Sequence, residues 1–222
     1  MDVQLIGMTP RPERLPALAA KLTHSNTSTE ELEQSSDKEL NTILDYVMKL
    51  GHTSVVEHTS FTFAISGVSR SLTHQLVRHR IASYAQQSQR YVNLENPCFI
   101  TPPKIAKNKE MEKAYEQVMK TIWDQYNKLL EMDIPAEDAR YVLPNATCTN
   151  IIVTMNARSL LNFFELRCCL HAQWEIRQLA NKMLKLVKKE APRIFKDAGP
   201  PCQSKGYCPE HNPDCSLYPK DK

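Results

Sequence analysis

The chain has 222 residues, with 28 lysines and arginines against 25 aspartates and glutamates, a formal net charge of +3. That is enough length for a sizeable core, and too little charge for the whole surface to act as a nucleic-acid footprint, although a local basic patch is allowed. No run approaches the length of a membrane span and no charged-then-apolar signal segment opens the chain, so a soluble cytoplasmic protein is expected.

In chain order, Pro10, Pro12 and Pro16 precede a short apolar stripe of Leu15, Leu18, Ala19 and Leu22, read as a turn and one short helix. The polar stretch from Ser25 leads to Asp37, placed to cap an amphipathic helix carrying Leu40, Ile43, Leu44, Val47 and Leu50, which Gly51 ends. Phe61, Phe63 and Ile65 alternate with smaller or polar residues, the pattern of a half-buried strand. Ser71 could cap a helix with Leu72, Leu76 and Val77 that delivers Arg78, His79 and Arg80 near its end. If the chain beyond is extended, Gln86, Ser88 and Arg90 point one way. A long helix is expected over residues 107–130, a short one from Pro135 to Val142 stopped by Pro144, another from about Asn156, and a last one carrying Trp174, Ile176, Leu179, Met183 and Val187. This is a helix-dominated α+β mix. The domain division expected is 1–198 as one catalytic domain and 199–222 as a Pro- and Cys-rich tail.

The segment Arg78–Tyr91, RHRIASYAQQSQRY, holds three guanidiniums, an imidazole, two serine hydroxyls and three amides with no acid. Arginine forks, hydroxyls and amides are the donors that surround phosphate or carboxylate. The five glycines stand alone, with neither a dinucleotide-binding nor a P-loop pattern, so side chains would have to hold any nucleotide. Taken alone, the Arg78–Arg80 triplet reads as a solvated helix end and Ser88 as a surface serine.

The triplet is accompanied by other blocks. GHTSVVEHTSFTF begins at Gly51, EDARYVLP at Glu137, and MNARSLLNFFELRCCLHAQWEIR at Met155. RHR followed, after seven intervening residues, by Ser88, with these blocks in this order, resembles the flavin-dependent thymidylate synthases over roughly residues 40–195. The resemblance implies a helix-rich fold with a small, mostly antiparallel central sheet. It implies reductive methylation of dUMP to dTMP, with 5,10-methylenetetrahydrofolate as carbon donor and FAD reduced by NADPH. It further implies a homotetramer with active sites at subunit interfaces. Gln75, Arg78, Gln86, Ser88, Arg90, Arg140 and Arg167 fall on dUMP positions, with Ser88 and Arg90 toward the phosphate. Ser54, Arg78, His79, Arg80, Gln86, Asn156, Arg158 and Asn162 fall on FAD positions. Arg167 is the candidate for activating the uracil ring without an enzyme thiol, and His52 falls beside the flavin. Gln86 stands where some relatives carry glutamate, which removes a charge but keeps an acceptor. The first ~35 residues match the family poorly and receive no role.

Seven cysteines, an odd number, argue against a full disulfide framework. Cys202, Cys208, His211 and Cys215 offer a zinc site of three thiols and one imidazole, against a flexible tail with unpaired thiols. Trp174 and the lysines at 182, 185, 188 and 189 read as core and as a solvated helix face. The alternative from another class is a small zinc-containing nucleic-acid-binding module. A plain NADPH-using flavoprotein reductase is a third reading, opposed by the dUMP-type arginines.

Overall fold

A computed structural model describes residues 1–92, 94 and 96–219. Its elements in chain order are β1 (Asp2–Met8), α1 (Arg14–His24), α2 (Thr29–Glu33), α3 (Asp37–Lys49), a 3-10 turn (Thr53–His58), β2 (Ser60–Ser69), α4 (Arg70–Leu76) and β3 (Ser83–Gln86). Then follow α5 (Pro103–Ala106), α6 (Lys109–Glu131), α7 (Ala136–Ala139), a 3-10 turn (Arg140–Val142), β4 (Cys148–Asn156), α8 (Ala157–Arg167), α9 (Trp174–Glu190), α10 (Pro192–Phe195) and α11 (Pro201–Ser204). The strands form one small antiparallel sheet in the order β1-β2-β4-β3, so the chain is helix-rich α+β as expected.

Two compact units divide the chain. The first comprises residues 1–2, 65–78 and 84–152, and the second residues 3–64, 79–83 and the chain from Val153 onward.

In the first unit, α6 buries Met119, Trp123 and Tyr126 while the rest of its charged surface stays wet. The Trp123 indole N–H donates to the Leu94 carbonyl at 2.9 Å, so its polar edge is satisfied. Phe99 meets Tyr115 edge-on at 5.8 Å and Trp123 at 6.2 Å. Pro135 is the residue before α7, and the helix yields to the 3-10 turn because Leu143 precedes Pro144. Leu143 takes ψ 136, the extended backbone a following proline favours.

The second unit has a phenylalanine core. Phe61 meets Phe195 at 5.6 Å, Phe164 meets Phe195 at 5.9 Å, and Phe163 meets Phe164 at 5.7 Å, all edge-on. Leu40, Leu44 and Val47 of α3 and Ile176, Leu179, Met183 and Val187 of α9 are buried around them. Burying one such side chain contributes on the order of 1.5–3 kcal/mol. Gly51 follows α3 at φ +75, the left-handed stop that glycine adopts without strain.

Several local expectations are corrected. Ser36, not Asp37, caps α3, its hydroxyl accepting from the Glu39 N–H at 3.3 Å. Ser69 rather than Ser71 caps α4, accepting from the Leu72 N–H at 3.0 Å. The polar stretch after Ser25 contains α2, begun by a capping box of Ser28 and Glu31. β1 and β4 were not anticipated. β1 alternates between exposed and half-buried positions, but the apolar Ile6 and Met8 fall on its exposed side and blur the period. β4 buries Thr149, Ile151, Val153 and Met155, but an apolar Ile152 on the open side blurs the period. The chain after β3 is not extended through Arg90: it turns, with the Val92 N–H reaching the Ser88 carbonyl at 3.2 Å.

Candidate functional site

The candidate residues fall into two sets, one on each unit. On the first unit, α4 and β3 with their flanking turns present Gln75, Arg78, Gln86, Ser88 and Arg90, and the turn after α7 presents Arg140. The Gln86 side-chain amide donates to the hydroxyls of Thr73 at 3.1 Å and Thr149 at 3.3 Å, which orients it. Ser88 Oγ accepts from the Arg90 N–H at 3.1 Å, the small turn that brings both residues onto one loop. The Arg90 guanidinium donates to Glu137 through Nε at 3.0 Å and lies within 2.9 Å of it through Nη2. It also stands 5.4 Å over the Tyr91 ring. Arg140 Nε donates to the Glu137 carbonyl at 2.9 Å. Arg78 is exposed just beyond α4.

Arg70 belongs with this group and was missed. Its Nη2 donates to the Gln87 carbonyl at 2.8 Å, yet its Nε is buried with no partner among the described residues. Burial, and then the charge of Arg140, lower its pKa. Two arginines in electrostatic contact, one carrying an unsatisfied buried donor, suit an anion. A sequence signal was present: Arg70 is the first residue of α4, and a cation in the first turn opposes the helix dipole.

On the second unit, α8 begins where Asn156 accepts the Ser159 N–H at 2.8 Å. Arg158 and Asn162 share one face of that helix, as their spacing requires. Arg158 is ion-paired and hydrogen-bonded to Glu57 of the first 3-10 turn, the acid that His52 and His58 flank. Ser54 lies on that turn, and His52 is exposed at its start. Arg80 is exposed. Arg167, at the end of α8, donates through Nε to His79 Nε2 at 3.1 Å. His79 packs edge-on to Phe163 at 4.9 Å. Burial and then the Arg167 charge lower the His79 pKa to about 4, so the imidazole is neutral and acts as acceptor at Nε2.

Also within the second unit is a cavity of about 880 Å³ lined by Lys49, Arg158, Asn162, Glu165, Arg193 and Lys205, among others. Lys205 of the tail donates to both oxygens of Glu165 at 2.8 Å. Nothing in the sequence pointed to Lys205, because a lone lysine in a Pro-rich tail carries no pattern.

Cys168 is buried, and burial pushes its thiol up to about 12, an unreactive setting. Among the described residues no group of three His, Cys, Asp or Glu side chains is gathered to hold a metal. The set Cys202, Cys208, His211 and Cys215 is therefore not assembled, and neither is a site at His52, Glu57 and His58. Among the described residues no helix is long and apolar enough to cross a membrane.

The fold is that of a helix-rich α+β protein, and its two donor sets are chemically suited to oxyanion-bearing ligands. The family model described as thymidylate synthase complementing protein matches residues 4–193. A flavin-dependent thymidylate synthase of Geobacter sulfurreducens is 51% identical over 97% of this chain and 94% of its own length. One of Pyrococcus furiosus is 44% identical over 99% and 95%. The crystal structure of a UMP/dUMP methylase, PolB, from Streptomyces cacaoi bound with 5-Br dUMP covers 88% of this chain and 93% of that one, at TM-score 0.75 and 23% identity. The chain belongs to the flavin-dependent thymidylate synthase family. The match beginning at residue 4 corrects the expectation that the first ~35 residues stand apart from it.

Proposed function

We propose that this protein is a cytoplasmic homotetramer that reductively methylates dUMP to dTMP. 5,10-Methylenetetrahydrofolate gives the carbon and NADPH is the reductant. Residues 1–198 form the catalytic domain, with the remainder as a tail, and residues of several chains meet at each flavin. The observation that carries the reading is the family membership at 51% identity over nearly the whole chain, together with an arginine set that keeps an unsatisfied buried donor of the kind a nucleotide phosphate needs.

The residues present fit FAD. Arg158, Asn162, Lys49 and Lys205 line a cavity large enough for part of a dinucleotide, and cationic and amide donors suit its phosphates and hydroxyls. Asn156, Ser54, His79, Arg80, Arg78 and Gln86 complete the proposed cofactor set. When bound, the flavin supplies the hydride that converts the transferred methylene to a methyl group.

The chain's own groups do the rest. Ser88, Arg90 and Arg140, with Arg70 added, hold the dUMP phosphate, and Gln75, Arg78 and Gln86 fix the nucleoside. A phosphate would displace Glu137 from Arg90, whose ion pair is half exposed and weakly held. Arg167 stabilises negative charge that develops on the uracil ring as electron density moves to C5. His79 takes the Arg167 Nε donor, which fixes the plane of the guanidinium and leaves its two terminal nitrogens for the ring. His52 contacts folate or flavin. No thiol attack is invoked, which agrees with the unreactive setting of Cys168.

The test is an absorption spectrum of the purified protein before and after anaerobic NADPH, with and without dUMP. A flavin spectrum that bleaches, at a rate or with a band shape that dUMP changes, is expected. A colourless protein that takes up no FAD would defeat the proposal.

A further inference from the structure

The end of the second unit holds a second cavity, of about 320 Å³, that the proposed chemistry does not use. Cys169, Cys202, Cys208 and Cys215 all line it, together with His171 and Glu210. All four cysteines are free of disulfides. They come from three different places: Cys169 closely follows α8, Cys202 lies on α11, and Cys208 and Cys215 are in the tail's turns. His211 is exposed, takes a left-handed φ of 48, and is not on the cavity wall. The cavity wall thus gathers the three tail thiols with a fourth from outside the tail, and leaves His211 out.

Two further observations point to a ligand for these thiols. Cys208 and Cys215 each open a tight turn. The His211 N–H reaches the Cys208 carbonyl at 3.3 Å, and the Tyr218 N–H reaches the Cys215 carbonyl at 2.9 Å. Both cysteines are partly exposed and line the cavity. The tail also lacks a core of its own. Its only helix among the described residues is the four-residue α11, and beyond Pro201 no described residue is fully buried. Small units without a core are held by disulfides or metals.

We propose that Cys169, Cys202, Cys208 and Cys215 form a four-thiolate site for a thiophilic divalent cation, zinc, that fastens the tail to the end of α8. Four thiolates in a tetrahedron at roughly 2.3 Å from the metal is the closed coordination of a structural zinc. No three of these thiols already stand at metal-holding distance, and binding draws them in from the cavity wall. Such closure is the usual coupling of metal binding to local folding. Binding releases the thiol protons, and no electron is transferred. The site begins two residues beyond Arg167, and the Lys205–Glu165 pair ties the same tail to α8. The metal therefore braces the helix that presents Arg158, Asn162 and Arg167. This proposal does not depend on the reaction assigned above.

The experiment is elemental analysis of the full-length protein purified without chelator, followed by chelation and titration with Co²⁺ as a spectroscopic probe. About one zinc per chain is expected, with thiolate-to-cobalt charge transfer and the strong d–d bands of a tetrahedral site. Cys169→Ser should weaken metal binding by about tenfold or more, and His211→Ala should leave it unchanged. If Cys169→Ser does not fold, the cobalt spectrum of the parent protein still reports its thiolate ligands. The proposal is overturned by wild-type protein that retains no zinc after incubation with Zn²⁺. Metal loss in His211→Ala with retention in Cys169→Ser also overturns it, as does a non-reduced mass lacking the hydrogens that disulfides remove.

Discussion

Arg70 in the first unit and Arg167 in the second are both partly buried cations that form no ion pair with a carboxylate among the described residues. Their surroundings differ. Arg70 faces a second arginine, Arg140, and keeps a buried Nε without a partner among the described residues. Arg167 faces an imidazole held neutral by burial, which accepts its Nε hydrogen. The first arrangement leaves positive charge uncompensated and suits an anion that arrives already charged. The second removes the competing charge and fixes one guanidinium in place, which suits charge that appears only during a reaction. Both arginines would bind anions, but the neighbours set which kind.

The sharpest way to break this contrast is Arg167→Ala. Turnover should fall by about a hundredfold or more while FAD stays bound, because preorganised charge acts on the transition state. Flavin loss with unchanged turnover per remaining flavin would put Arg167 on the cofactor instead. Arg70→Ala should act on binding: a lost charge-assisted contact of about 1.5–3 kcal/mol would raise the KM for dUMP roughly ten- to hundredfold. Arg70→Lys should recover part of that loss, and a change in kcat alone would contradict the assignment.

The neutral imidazole gives a pH signature. The His79 pKa is lowered to about 4 in the folded chain, below the ordinary value of 6.5. Between those values the unfolded chain binds the extra proton, so His79 favours folding fully above about 6.5, and that contribution is lost as pH falls toward 4. The urea midpoint of the parent protein should drop between about pH 7 and 5 more than that of His79→Asn. Equal drops would mean that His79 takes up its proton alike in the folded and the unfolded chain, so that its pKa is not lowered by folding. The smallest effect is expected at Lys205 and Glu165, whose partly exposed pair should give a coupling of at most about 1 kcal/mol in a double-mutant cycle.

Much of this arrangement was legible in the residues. Alternation gave β2, apolar spacing gave α3, α6 and α9, and the Asn156 cap gave the start of α8, because each is a local periodicity or a local hydrogen bond. β1 and β4 escaped because their burial depends on sheet partners far along the chain. The arginine and asparagine positions of the candidate site were legible through motif order. Glu57 and Glu137 were not, since what distinguishes them is the charge that folding brings near, and Arg70 carried only the weak signal of a cation in a first helical turn. Cys169 was legible only as half of a Cys-Cys pair. Its fellowship with the tail thiols requires the turn after α8 to meet a segment that lies beyond the whole of α9 and α10.

The central claim is the methylation of dUMP. The most direct measurement is mass analysis of the nucleotide formed when the purified protein is given FAD, NADPH, dUMP and methylenetetrahydrofolate deuterated in its methylene group. The account predicts dTMP carrying both deuterons in its new methyl group, with tetrahydrofolate released. Oxidation of NADPH with dUMP recovered unchanged would contradict it and leave a flavin reductase in its place.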